Sequence, residues 1–207
     1  MYVPEAFQVT DQSIIRSFLE QHSFGMLLIN GHNGFPIITH LPFLIRFERE
    51  HISVEAHLAR ANPMAEYISN ARPATIVING AHGYVSSSVY GHVNVPTYNY
   101  QTAHLSGLID PLSPEELKVH LSETVHQYES NRLNPIRMNE LPHDMLNAYM
   151  TEIIGFRLAV FKTEVAFKLS QNRTEEDFQR IVADLKQGNA DQQQLAAVML
   201  QWGKKEL

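Results

Sequence analysis

Residues 24–48 read FGMLLINGHNGFPIITHLPFLIRFE, and their reading decides the fold. Two apolar runs flank the turn stretch Gly31–Phe35, which carries Asn33-Gly34. Asn-Gly supplies the positive φ angles of a tight hairpin turn, so the runs are expected to pair antiparallel. In the second run Ile37, Thr39, Leu41, Phe43, Ile45 and Phe47 fall on one face of a strand over 36–48. Pro42 cannot donate a ladder hydrogen bond, which predicts a bulge or an edge position. The other face still carries Ile38 and Leu44. A strand apolar on both faces needs cover on both, from helices or from a second copy of the chain.

Outward from this hairpin the pattern stays antiparallel. His51–Leu58 alternates, with Ile52, Val54, Ala56 and Leu58 on one face and Ser53, Glu55 and His57 on the other. ATIVING, YVSSSVY and VPTYNYQTAHLSGLID read as further strands, and so does IIGFRLAVFKTEVAFKLS. Helices frame them. Thr10 or Asp11 caps one with Ile14, Ile15, Phe18 and Leu19 on its apolar face. Ser113-Pro114-Glu115-Glu116 starts another, lined by Leu117, Leu121, Val125 and Tyr128. Thr174 opens a third with Phe178, Ile181, Val182 and Leu185, ended by Gly188, and a last helix carries Leu195, Val198, Met199 and Trp202. Short antiparallel strands with peripheral helices predict an α+β, mainly antiparallel β barrel. No repeat or linker interrupts it, so 1–207 is expected to be a single domain, with the helical part 174–207 packed on or appended to the barrel.

Composition narrows the function classes. The chain has 207 residues, 44% of them apolar, which is enough for a substantial core. Sixteen Lys and Arg face 22 Asp and Glu, a net charge of -6 that supplies no basic nucleic-acid footprint. There is no cysteine, hence no disulfide or thiolate chemistry. The N-terminal stretch lacks a signal-peptide pattern, and no apolar run has the length of a membrane span. A cytoplasmic protein is expected.

The strand at 51–58 runs into HLARANP, residues 57–63. Asn62 suits a helix cap and Pro63 the first helical position, so PMAEYISN reads as a short helix beginning beside a strand end. Such a helix start favours an anion. Arg60 can grip phosphate oxygens, and His57 can donate a hydrogen bond beside it. This points to the phosphate of a cofactor. The plain alternative, a strand–turn–helix with a solvated arginine, is the commoner arrangement.

Six stretches spread along the chain, MYVPEAF, THLPF, HLARANP, YVSSSVY, VPTYNY and KLSQNR, occur in one order from Met1 to Arg173. In them the chain resembles the PaiB family, described as FMN-binding negative transcriptional regulators. The resemblance implies an FMN-binding split β-barrel, a homodimer, and a flavin site near the subunit interface. It implies phosphate roles for Arg60 and Asn62 with His57 adjacent, and places Thr39 and His40 on the neighbouring strand. It further implies Thr97, Tyr98 and Asn99 near the flavin ring, with Gln171, Asn172 and Arg173 brought to the same cleft. The chain departs from the family at Val89 and Tyr98, where tryptophan is usual. Tyr90 and Tyr98 replace part of that flat area.

Other patterns carry less. The 11 histidines show no H-E-x-x-H or H-x-H spacing, so no metal site is expected. His120 and His126 lie six apart on a helix, on different faces. A heme bound through a histidine is the one exception kept open by the resemblance, since some split-barrel relatives handle heme. Ser86–Ser88 lack the G-x-S-x-G elbow of a hydrolase. Glu115 and Glu116 complement a helix start. Residues 174–202 could be drawn as a helix-turn-helix, but the second helix holds no Lys or Arg before Lys204 and Lys205, so a packed helical hairpin is expected and direct DNA binding is not. The function expected is an FMN-binding regulatory protein. A flavin-dependent oxidoreductase on the same barrel, or a barrel that has lost its cofactor, are the alternatives.

Overall fold

The structure, a computed structural model, describes residues 1–48, 51–69 and 71–203. Lys204 and Lys205 lie outside the described residues. Seven strands form one sheet in the order β2-β1-β5-β6-β7-β4-β3. They are β1 (Phe24–Asn30), β2 (Pro36–Pro42), β3 (Leu44–Glu48), β4 (His51–Ala59), β5 (Arg72–Val85), β6 (Thr97–Pro111) and β7 (Ile153–Lys168). Among the described residues five α-helices accompany them: α1 (Gln12–Gln21), α2 (Pro114–Glu129), α3 (His143–Glu152), α4 (Glu175–Leu185) and α5 (Ala190–Trp202). This is the α+β, mainly antiparallel architecture that the alternation implied. None of the helices is long and apolar enough to cross a membrane among the described residues.

The chain divides into two compact units. A hairpin unit comprises Ser23–Val77 and Leu105–Thr163, and a terminal unit comprises Met1–His22, Ile78–His104 and Glu164–Leu207.

In the hairpin unit β1 and β2 pair antiparallel from Phe24↔Pro42 to Asn30↔Pro36. Gly34 takes the positive φ of 82° that the turn requires. The expected single strand over 36–48 is instead two. Pro42 ends β2, which is an edge strand, and β3 is the edge at the other end of the sheet order. Between them Phe43 is buried and its N–H donates to the Ser23 carbonyl at 2.6 Å. The missing donor at Pro42 sets the break, and burial of the Phe43 ring fixes it. β3 pairs with β4, and β4 with β7 in a register that sets Glu55 opposite Arg157 and His57 opposite Gly155. One face of β4 is core, with Ile52, Val54, Ala56 and Leu58 buried. The other lies under α2. A Cβ at Gly155 would come within 2.8 Å of Leu117 Cδ1, so the glycine lets α2 approach β7 closely. α2 starts with the expected capping box between Ser113 and Glu116. α3 was not anticipated; it buries only Leu146, so its apolar periodicity is weak.

In the terminal unit α1 begins at Asp11, whose side chain accepts from the N–H groups of Ser13 and Ile14, and it buries Ile14, Ile15, Phe18 and Leu19. α4 and α5 form the packed helical hairpin, capped by Thr174 and Asn189. YVSSSVY is not a strand throughout. β5 stops at Val85, and Ser87–Val89 form a 3-10 turn in which Ser86 Oγ accepts from the Ser88 N–H. Serine hydroxyls compete with the sheet for backbone donors, and three in succession end it.

Candidate functional site

β4 leaves the sheet at Ala59 and delivers Arg60 to the end of α3. The Arg60 N–H donates to the Glu152 carbonyl at 2.8 Å and Nε to the Thr151 carbonyl at 3.0 Å. These bonds orient the guanidinium against the last carbonyls of α3, where a cation is favoured. Both Nη groups lack a hydrogen bond and a carboxylate partner among the described residues. Asn62 caps the next turn, its Oδ1 accepting from the Met64 N–H at 2.9 Å while Nδ2 donates to Thr39 Oγ1 at 3.2 Å. The expected helix is only a five-residue 3-10 turn, Pro63–Tyr67. A single turn aligns too few peptide dipoles to favour an anion, so the helix-start argument for this site falls. Arg60 remains. His40 is exposed and stacks on Phe24 with ring centroids 6.2 Å apart.

His57 faces α2. Its Nδ1 lies 3.0 Å from Nε2 of His120, which is only 1% exposed. Behind His120 stands Glu55, 2% exposed, with Oε2 at 3.6 Å from His120 Nδ1. Glu55 Oε1 accepts from Arg157 Nε at 2.9 Å, and Oε2 from Arg46 at 3.1 Å. Arg157 also pairs with Glu116, and Arg46 with Glu123. Burial alone would raise the Glu55 carboxyl, but His120, Arg157 and Arg46 together outweigh it and hold the group at about 2. Burial, and then the neighbouring His120, push the His57 imidazolium down to about 4. The sequence placed Glu55 only on a strand face and gave His120 no site role, and nothing in it pointed to Arg46 or Arg157. A signal existed: His120 stands three residues after Leu117, on the stripe that α2 turns inward.

The other expected residues lie in the terminal unit. Thr97 Oγ1 accepts from Lys168 Nζ at 2.5 Å. Burial, and then Arg173, push the Lys168 ammonium down. Tyr98 is 49% exposed, stacks on His82 and bonds to its Nδ1 at 3.1 Å. The two rings border an open depression of about 330 Å³ that also involves Asn79, Tyr100, Gln101 and Thr102. Asn99 is fully buried; its amide donates to Ser170 at 2.9 Å and its Oδ1 has no hydrogen-bond partner among the described residues. Gln171 folds onto its own turn, accepting from the Leu169 N–H and donating to the Phe167 carbonyl. Asn172 is exposed, and the Arg173 guanidinium lies 5.3 Å from the centre of the Tyr90 ring. Thus Thr39, His40, His57, Arg60 and Asn62 belong to the hairpin unit. Thr97, Tyr98, Asn99, Gln171, Asn172 and Arg173 belong to the terminal unit.

The hairpin unit offers phosphate-binding chemistry and the terminal unit a ring surface. An arginine with both Nη groups unspent suits a phosphate, and an exposed tyrosine face suits a flat ring.

Comparison with known proteins agrees with the sequence resemblance. Residues 1–162 match the family described as "Putative FMN-binding domain". The chain is 34% identical over 208 residues to the protease synthase and sporulation protein PAI 2 of Bacillus subtilis, with both chains covered completely. Among solved structures it is similar to an FAD and heme binding protein from Mycobacterium smegmatis, at a TM-score of 0.56 and 13% identity, over 78% of this chain and 73% of that one. The flavocytochrome Anf3 from Azotobacter vinelandii gives a TM-score of 0.56 at 17% identity, over 86% and 78%. At these identities the two structures speak for the fold alone.

Proposed function

We propose an FMN-binding function from one premise: the chain belongs to the FMN-binding family that matches its residues 1–162. The observation that carries the reading is Arg60, held in place by Nε and offering both Nη groups at the end of β4. A phosphate monoester carries close to two negative charges and three acceptor oxygens at neutral pH, which suits that fork. His57, three residues earlier, completes the grip, while Asn62 shapes the turn through its cap and its bond to Thr39. Within the terminal unit, Tyr98 and the surface it shares with His82 offer a flat aromatic face of the kind an isoalloxazine packs against. Asn99, being buried, supports that surface from beneath. Gln171, Asn172 and Arg173 form the turn after β7 on the same reading.

Regulation, if this protein exerts it, runs through the flavin rather than through direct operator reading. The net charge is -6, and α5 carries no Lys or Arg over Ala190–Trp202. A gel shift should show weak, salt-sensitive binding without sequence preference. Sequence-specific binding that resists salt would overturn this part. A flavin-dependent oxidoreductase is the second reading, and the exposed Tyr98 face favours it, because a ring seated there stays open to a second substrate.

The active form is assigned as a homodimer. The strand split at Pro42 removes the argument from one strand apolar on both faces. The support is now the outward Phe24 and Ile38 of β1 and β2, 61% and 49% exposed. Light scattering should give twice the 23.6 kDa chain mass. A monomer that still binds FMN would rule out a site shared between subunits.

The test of the function is a titration with FMN, FAD and riboflavin followed by flavin fluorescence. FMN should bind tightest. Equal affinity for FMN and FAD, or none for FMN, would sink the reading.

A further inference from the structure

We propose that a phosphate bound at Arg60 draws one proton onto His57, and that Glu55 and His120 form the buried relay that makes His57 take it. This deepens the FMN reading and rests on it.

The direction of the relay is set by its atoms. Glu55 accepts from two arginines and is ionised, so it can only accept. His120 turns Nδ1 toward it at 3.6 Å, which places the His120 proton on Nδ1 and a lone pair on Nε2. His57 Nδ1, 3.0 Å from that lone pair, must therefore be the donor. A neutral imidazole with its proton on Nδ1 presents a bare lone pair at Nε2. That is the wrong polarity for phosphate oxygens, which are acceptors only. A proton on His57 Nε2 converts the mismatch into a charge-assisted hydrogen bond. The step is a simple acid–base one: Nε2 gains a proton from the buffer acid, and the conjugate base stays in solution.

The surroundings suit such a proton. The charged groups facing this layer are Arg46 on β3, Glu55 on β4, Arg157 on β7, and Glu116 and Glu123 on α2. From the end of α3, the Glu152 main-chain carbonyl accepts from the Arg60 N–H. The paired set counts two guanidinium groups against three carboxylates, an excess of one negative charge. His120 Nδ1 is buried with no hydrogen-bond partner among the described residues. The 3.6 Å gap to Glu55 is too long for a hydrogen bond in the neutral state. Charge shared from His57 onto His120 would close it. Without the anion, burial and His120 keep His57 neutral, so the proton comes with the ligand.

The test is calorimetry of the full chain with FMN and with riboflavin near pH 7.5, in buffers of different ionisation enthalpy. FMN binding should take up close to about one proton, and riboflavin about none. FMN affinity should rise by up to about tenfold per pH unit as pH falls below the bound-state value of His57, levelling off near its free-state value. His57→Gln should still bind FMN, more weakly, with the uptake gone. FMN preferred over riboflavin but bound without proton uptake would overturn the relay and leave the FMN reading intact. Uptake persisting in His57→Gln would overturn it too. FMN and riboflavin bound equally would show that there is no phosphate site, and the relay would fall with it.

Discussion

The two units solve the same problem, the burial of polar groups, in opposite ways. The hairpin unit buries charge: Glu55 between Arg46 and Arg157, with His120 and His57 behind. The terminal unit buries mainly neutral amides, Asn99 and Gln101, with one carboxylate, Asp177, at the start of α4, and among the described residues Asn99 Oδ1 and Gln101 Oε1 have no hydrogen-bond partner. A charged layer costs desolvation and returns it only while every partner is present. A neutral layer costs less and is largely indifferent to pH, although an orphaned acceptor in it still carries a desolvation penalty of about 1–3 kcal/mol. The difference locates chemistry. Groups that respond to protons and anions are concentrated at the end of β4, and the neutral layer supports an aromatic surface.

Removing the centre of the charged layer should have the largest effect. Glu55→Gln should destabilise the protein by about 3 kcal/mol, the low end for breaking a buried pair, because Arg46 keeps Glu123 and Arg157 keeps Glu116. Urea unfolding followed by circular dichroism measures it. A loss below about 1 kcal/mol would make the layer a surface feature in energetic terms.

Acid should act next. The folded-state value of His57 lies below its ordinary 6.5, so the unfolded chain binds the proton more readily. Stability from His57 is present above pH 6.5 and is lost as pH falls toward about 4. Glu55 acts with the same sign over a lower window, from its ordinary 4.5 down to about 2. Each shift corresponds to at most about 3 kcal/mol. Burial also lowers His104 in the terminal unit, which adds in the same direction. His57→Gln should flatten most of the loss between pH 6.5 and 4; an unchanged profile would assign that loss elsewhere.

On the neutral side, Asn99→Ala should cost about 1–3 kcal/mol by removing the donor to Ser170, with little dependence on pH. A strongly pH-dependent loss would blur the contrast between the units. The smallest effect on stability belongs to Arg60→Ala, within about 0.5 kcal/mol, since its exposed side chain makes one hydrogen bond.

Much of the fold was legible because local rules agreed with one another. The alternation of His51–Leu58, the Asn33-Gly34 turn and the Ser113–Glu116 capping box each produced the element they imply. The break at Pro42 was half legible: the proline marked an edge, but the placing of β2 and β3 at opposite ends of the strand order depends on long-range pairing, β2 with β1 and β3 with β4. The 3-10 turn at Pro63–Tyr67 has the same start signals as a longer helix and differs only in the residues after it, so Asn62-Pro63 could not tell them apart. A candidate site could be proposed where a motif ran along the chain, as in HLARANP. The relay was not. Glu55, His120 and Arg157 are distant in sequence and meet only through the β4–β7 register and the approach of α2 over Gly155.

The central claim is that the phosphate of FMN is held in the hairpin unit, at Arg60, although the terminal unit offers a second cation in Lys168 beside Arg173. The most direct measurement is the ratio of FMN to riboflavin affinity in Arg60→Ala and in Lys168→Ala. Arg60→Ala should weaken FMN by about 1.5–3 kcal/mol and leave riboflavin nearly unchanged, collapsing the ratio, while Lys168→Ala preserves it. A ratio that survives Arg60→Ala and collapses in Lys168→Ala would contradict the account and move the phosphate to the terminal unit.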